Sequence, residues 1–317
     1  FSGHFLDPGH GGVFWKLDAS GELLDGRKQI YALAFAIYGM SEYHRFSGNQ
    51  AALRIAIDLF RMIETRGFDG KRNGYIEAYA RDWRRMDDVR LSHKDENALK
   101  TMNTHLHILE AYTNLYRVWP QEELASPLRN LIRVFLDIIL QDDDHFGLFF
   151  DEDWRLSSRN VSPGHDIEGS WLLLEAAEAL GDAALVTQAK ETALRMAEAT
   201  VNQGVSNDWS VREELQSATG RRDPRRHWWP QAEGIVGFFN AYEISGDPRS
   251  LEIASRIWSY TKRHVLDLEN GEWFSAVDES GNPDSGECKV GFWKCPYHNA
   301  RACMEIIERV DRRLGKK

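Results

Sequence analysis

Two short stretches each place an imidazole in the first turn of a helix. The first is SPGHDIEGSWLLL, residues 162–174, in which Ser162 reads as an N-cap and Pro163 as the first helical residue, where its missing N–H costs nothing. Apolar residues at Ile167, Trp171, Leu172, Leu174 and Ala176 then mark a broad buried face. His165 and Glu168, three apart, share one side of this helix. The second stretch is WKCPYHN, residues 293–299, where Pro296 opens a helix and His298 falls in its first turn. The positive end of a helix macrodipole disfavours imidazolium, so a histidine in that place is held neutral near pH 7 and can serve as a general base. Two such imidazoles facing one another would form a site for moving a proton across a substrate plane. The alternative is structural, with Asp166 and Glu168 as ordinary N-terminal acids and His165 as a hydrogen-bonded wall residue.

The helices that must carry these residues belong to a repeated unit: a helix, a short turn with Gly or Pro, a second helix, and often a Gly- and aromatic-rich hairpin. The turns fall at Gly48, Pro120, Gly181 and Gly246, spaced 72, 61 and 65 residues. No such helical hairpin can bury its apolar face alone, and a closed ring of them places one helix of each pair inside. The pattern predicts an all-α fold, an α/α barrel with short β-hairpins in the loops. Helices are expected over 28–46, 49–66, 96–117, 121–140, 165–180, 182–202, 231–245, 247–265 and 296–313. Residues 9–26, GHGGVFWKLDASGELLDG, read as the closing hairpin of a unit, with a turn at 19–21 and no helices before it. The expectation is a single catalytic domain over 1–317, truncated at its N-terminus.

Composition bounds the function. The 317 residues are 42% apolar, ample for a core. The charge is 39 − 49 = −10 with no basic block, which excludes a nucleic-acid groove, and the clusters Arg81–Arg85 and Arg221–Arg226 read as solvated loop charge. No apolar run reaches the length of a membrane span, so no membrane partner is expected and a cytoplasmic location is. Cys288, Cys295 and Cys303 lack paired spacing, so the expectation is reduced thiols and no metal. Eleven Trp, 10 Tyr and 15 Phe provide rings suited to sugar faces as well as core.

Taken with MNTHLHILEAY (102–112) and HWWPQAE (227–233), the two opening stretches resemble the N-acylglucosamine 2-epimerase superfamily, and within it the cellobiose 2-epimerase branch. The resemblance implies an (α/α)6 barrel whose last nine helices are present here. It implies epimerisation of a reducing-end aldose at C2 without a cofactor. By resemblance His165 and His298 carry the acid/base roles, His298 acting on the gluco epimer and His165 on the manno epimer. Glu168 and Glu233 support the site, and His107 assists ring opening or orientation. Trp228 and Trp293 resemble sugar-stacking walls, and Phe35 and Asn103 sit where family pockets contact sugar. The family's active-site arginine on an early helix would precede Phe1, and Arg27 does not match its motif. The implied partner is a di- or oligosaccharide with a free reducing end, met by a monomer or weak homodimer.

The chemistry agrees with two bases. The C2 hydrogen is acidic once the ring opens to the aldehyde, because its anion is an enediolate. Epimerisation then needs a base on C2–H and an acid on the other face. On residues alone, His107 reads as a core histidine holding a hydrogen bond, and the resemblance is what assigns it to the site. His105, two positions away, points elsewhere on the helix and is assigned to the core. Trp228 and Trp229 are adjacent, so at most one stacks on sugar. Glu77 reads as an exposed or structural carboxylate. Mannose or N-acylglucosamine 2-epimerase activity, an α/α-barrel glycoside hydrolase using Asp166, Glu168 and Glu233, and a non-catalytic carbohydrate-binding module are the alternatives.

Overall fold

The computed structural model describes residues 1–215 and 223–316. Among them nine α-helices form: α1 Ile30–Ser47, α2 Gln50–Met62, α3 Met102–Val118, α4 Glu122–Val134, α5 Pro163–Leu180, α6 Ala183–Gln203, α7 Trp228–Ser245, α8 Pro248–Tyr260 and α9 Tyr297–Arg313. Helices α2, α4 and α8 run on into π-helical turns, Ile63–Gly67, Phe135–Ile139 and Thr261–Val265. Each helix expected from the repeat is present, and two starts differ by three residues or more. The third begins at Met102 rather than 96, because Lys100 and Thr101 pair as a strand with Phe150 and Phe149. The seventh begins at Trp228 rather than 231, since Pro230 falls in the first turn, where no intrahelical N–H is required.

The strands are short antiparallel pairs. β1 (Lys16–Leu17) and β2 (Leu23–Asp25) form the expected first hairpin, turning through Gly21 at φ +87°. β3 (Lys28–Gln29) pairs with β4 (Ala78–Tyr79), β5 (Lys100–Thr101) with β6 (Phe149–Phe150), and β7 (Arg226–His227) with β8 (Ala276–Val277). β3, β5 and β7 stand directly ahead of α1, α3 and α7, so each pairing pins the start of a helix.

The turn chemistry repeats. Gly48, Gly181 and Gly246 have φ of +71°, +71° and +73°, a left-handed conformation that closes one helix and that a Cβ would strain. Each is followed by an N-cap that opens the next. Asn49 accepts from Ala51 and Ala52, Asp182 from Ala184 and Leu185, and Asp247 from Arg249. The turn at Pro120 departs from this device, and α4 starts with no side-chain cap.

Two compact units divide the chain: Phe1–Ile139, Gly147–Arg159 and Glu175–Leu185 form one, and Leu140–Phe146, Asn160–Leu174 and Val186–Lys317 the other. In the first, α1 packs on α2 and α3, and α3 is buried without a break from Thr104 to Leu115. In the second, α7 packs on α8 and α9 and is buried throughout Trp228 to Ala241. Helix α8 instead buries one stripe, Ile253, Ala254, Ile257 and Tyr260. One helix buried all round beside one buried on a single face is the division the hairpin repeat requires. Gly237 lets α5 and α7 approach closely, for a Cβ there would lie 2.7 Å from the carbonyl oxygen of Ile167. Among the described residues no helix is long and apolar enough to cross a membrane.

Candidate active site

In the second unit the start of α5, the start of α7 and the start of α9 each contribute an aromatic ring to one cluster. The His165 ring lies 4.6 Å from that of Trp229, and the His298 ring 5.5 Å from the same indole. Trp229 is therefore the neighbour common to both histidines. Gly164 makes room for it, because a Cβ there would stand 2.5 Å from Cη2 of Trp229. Trp228, 8% exposed, meets His298 edge-on at 6.4 Å, and Lys294 lies over its face.

The hydrogen bonds fix both imidazole tautomers. The Ser162 hydroxyl lies 2.8 Å from the carbonyl oxygen of Glu213 and 2.8 Å from Nδ1 of His165. A carbonyl cannot donate, so the single hydroxyl proton goes to Glu213, and His165 donates its Nδ1–H to Ser162. The neutral ring then carries its lone pair on Nε2. Ser162 thus precedes the helix as expected, yet its hydroxyl serves the histidine and not a backbone N–H.

His298 is oriented by charge. Its Nδ1 is 2.7 Å from Oε1 of Glu233 and 3.8 Å from Oε1 of Glu168, and both carboxylates are buried. Arg301, three residues on along α9, places one guanidinium nitrogen 2.8 Å from Glu168 and 2.7 Å from Glu233. Burial works to raise the Glu233 pKa, but the Arg301 charge and the His298 contact outweigh it and hold the group below the usual carboxylate range. An ionised Glu233 has no proton to give, so Nδ1 of His298 carries it and Nε2 is again the reactive position. Trp171 donates to the second oxygen of Glu233 at 3.1 Å. Glu168, Glu233 and His298 offer three donor atoms within 4.8 Å, a set that could hold a divalent ion. The Arg301 guanidinium already lies against both carboxylates and supplies the compensating positive charge.

In the first unit His107 is 4% exposed, with Nδ1 3.1 Å from Glu110 and its ring 4.7 Å from Phe35 and 5.1 Å from Tyr31. Asn103, one turn earlier on α3, has a buried Oδ1 that meets no hydrogen-bond donor. His105 is core, as the sequence reading has it: Nδ1 faces the Thr101 carbonyl at 2.6 Å, Nε2 accepts the Tyr75 N–H, and burial depresses its pKa to about 4. Glu77 is not exposed but wholly buried, accepting the hydroxyls of Thr101 and Thr104, and burial raises it to about 7.

The remaining positions divide. Trp293 is 49% exposed and packs edge-on against Phe292. Asp166 does more than sit at a helix N-terminus: it accepts from buried His145 at 2.7 Å and from the Phe146 N–H at 2.8 Å. Of the basic clusters, Arg81 pairs with buried Asp7, and Arg226 is itself buried, bonded to Ser210; Arg221 and Arg222 lie outside the described residues. Arg301, Trp229 and Glu213 were not anticipated as members of the site. The i, i+3 spacing from His298 is the signal that places Arg301 on the same helix side. All three cysteines are exposed and free.

Comparison with known proteins shows the family. Residues 1–302 match the family model of N-acylglucosamine 2-epimerase. A cellobiose 2-epimerase of Bacteroides fragilis is 48% identical over 305 residues, covering 96% of this chain and 78% of the relative. One from Ruminococcus albus is 40% identical over 310 residues, covering 96% and 77%. The solved cellobiose 2-epimerase of Bacillus thermoamylovorans superposes with a TM-score of 0.92 at 39% identity, over 97% of this chain and 79% of that one. The all-α fold expected from the helical repeat is thus that of solved (α/α)6-barrel relatives. The chain belongs to the N-acylglucosamine 2-epimerase family and is a carbohydrate epimerase.

Proposed function

We propose that the protein is a cofactor-independent cellobiose 2-epimerase, converting the reducing-end glucose of cellobiose to mannose through a cis-enediolate. The observation that carries the mechanism is the pair of imidazoles on Trp229, each with Nδ1–H engaged so that the neutral ring has its lone pair on Nε2. One ring enters the cycle neutral and the other protonated. The neutral Nε2 takes the C2 proton, the C–H electron pair moves into the C1–C2 bond, and the aldehyde oxygen takes the charge. After the intermediate turns over, the protonated ring returns a proton to the other face of C2. The two histidines have then exchanged protonation states, which is the starting condition for the reverse reaction.

His298 acts on the gluco epimer and His165 on the manno epimer. Glu233 stabilises the imidazolium that forms on His298, and Glu168 with Arg301 holds Glu233 in place. Trp228 and Trp293 are candidate sugar walls, with Trp229, against which both histidines pack, as the alternative to Trp228. In the first unit His107 assists ring opening or orientation, and Asn103 and Phe35 contact sugar; the buried, unbonded Oδ1 of Asn103 supports that role. The site acts at the free reducing end of a di- or oligosaccharide.

The test is NMR of cellobiose in deuterated water with the protein, His298→Ala and His165→Ala. Deuterium at C2 with growing glucosylmannose is the expected result, both lost in His298→Ala, with glucosylmannose alone lost in His165→Ala. Release of glucose, or no exchange by the unaltered protein, overturns the proposal.

A further inference from the structure

Glu213 lies outside every motif read from the sequence, yet three of its oxygens meet the cluster or its support. Its carbonyl takes the Ser162 hydroxyl proton at 2.8 Å, the contact that fixes the His165 tautomer. Its Oε1 accepts the Trp229 indole N–H at 3.0 Å. Its Oε2 lies 3.1 Å from Nε2 of His227, which also stands 3.3 Å from Oδ2 of Asp223. Two carboxylates at one ring nitrogen require a proton on it. Burial opposes a charge on His227, but the Asp223 hydrogen bond and the Glu213 and Asp223 charges prevail and raise its pKa. Arg225 neutralises Asp223 in turn at 2.8 Å. Glu213, Asp223 and His227 present three donor atoms within 4.8 Å, but these contacts already satisfy them with protein partners.

We infer that Glu213 is a positioning residue for the acid/base pair: its carbonyl sets the tautomer of His165, and its carboxylate holds the indole against which both histidines pack. The inference rests on the proposed roles of His165 and His298. It concerns placement, to which proton transfer is sensitive, a misplacement of about 1 Å costing on the order of a hundredfold. His227 holds the second carboxylate oxygen and so keeps the first turned to Trp229.

The experiment uses Glu213→Ala, Glu213→Gln, Trp229→Phe and the double variant Glu213→Ala/Trp229→Phe. Two readouts are taken: the Trp229 indole N–H resonance, assigned by its loss in Trp229→Phe, and kcat and KM on cellobiose. Alanine is expected to move the indole proton upfield and lower kcat about tenfold, with KM within about threefold and the melting temperature little changed. Glutamine has one acceptor oxygen, and with Asp223 still accepting from Nε2 of His227 that oxygen stays on the Trp229 N–H, so the resonance is expected to hold and kcat to remain within about threefold of the parent. The double variant is expected to be no slower than Trp229→Phe alone. An unmoved resonance in Glu213→Ala, an unchanged kcat, or a glutamine variant as slow as the alanine one overturns the inference. The resonance needs no turnover, so this failure is distinct from that of the two-histidine reading, which would show as undiminished glucosylmannose formation by His165→Ala and His298→Ala.

Discussion

Replacing Glu233 by Gln changes one atom in a site where three donors converge. Trp171 reaches one oxygen at 3.1 Å, while His298 and Arg301 both reach the other at 2.7 Å. An amide offers a single acceptor oxygen and two N–H donors, so one of these buried donors must face an N–H. If the amide oxygen stays with Arg301, Trp171 loses its acceptor. If it turns to Trp171, the amide nitrogen faces His298 and Arg301. Breaking a buried charge contact costs about 3–5 kcal/mol. Arg301 keeps Glu168 at 2.8 Å, which places the loss at the low end, about 3 kcal/mol. At about 2 °C per kcal/mol for a chain of this size, the melting temperature should fall by about 6 °C.

The catalytic effect is larger than the stability effect. An amide N–H turned to Nδ1 drives the His298 proton to Nε2, the position that takes the C2 proton in the proposed mechanism, and an amide oxygen kept there removes the negative charge that stabilises the imidazolium. The equivalent exchange of Asp for Asn in a Ser-His-Asp triad costs about 10⁴ in kcat. Here His165 remains intact, so kcat in the gluco-to-manno direction should fall about 10²- to 10⁴-fold. Initial rates on cellobiose, with thermal unfolding measured on the same samples, check both numbers. A Glu233→Gln protein that keeps kcat within threefold of the parent would refute the claim that this carboxylate sets the His298 tautomer.

Ser162→Ala removes the acceptor for Nδ1–H of His165 without deleting a backbone cap, so kcat should drop about tenfold, while the melting temperature stays within about 2 °C. Rates from cellobiose and from glucosylmannose, measured beside a melting curve, separate this from a folding defect. Glu77 gives a pH prediction. Its folded pKa of about 7 stands above the unfolded value near 4.5, so the native state retains a proton that the unfolded chain releases. Its contribution to stability therefore falls as pH rises from about 4.5 to 7, by about 3 kcal/mol, and stays low above that. Glu77→Gln should match the parent near pH 5 and exceed it in urea denaturation at pH 8; a difference that does not grow with pH would refute this.

Helices were legible because their signals are local. Gly48–Asn49, Gly181–Asp182 and Gly246–Asp247 write a left-handed stop and a capping start side by side. The starts of α3 and α7 were misplaced because strand pairing, a non-local contact, decides the first, and a proline in the first turn conceals the second. That His165 and His298 stand at helix starts was legible from the prolines ahead of them. Their support was not. Ser162 looks like a cap until Glu213, 51 residues away, supplies a carbonyl for its proton. Arg301 looks like one more charge on a polar helix until Glu168 and Glu233, 133 and 68 residues away, reach it.

The two histidines are backed unequally, and this bears on how one site runs a reaction in both directions. Glu168 and Glu233 bring two negative charges to His298, and Arg301 cancels one, so a single negative charge favours the imidazolium there. Nδ1 of His165 meets the neutral Ser162 hydroxyl instead, and both rings stand in the first turn of a helix, where the macrodipole opposes a positive charge on either. In the proposed mechanism the charge balance draws the shared proton to His298 and makes His165 the neutral base. Proton removal by His298 requires that bias to be overcome, and proton removal by His165 proceeds with it. Removing Arg301 would leave both carboxylates unopposed and deepen the bias. Arg301→Met should therefore slow proton removal by His298 more than removal by His165. Comparing C2 deuterium exchange from cellobiose with that from glucosylmannose measures this, and equal slowing of the two would show that the charge balance around His298 does not set direction.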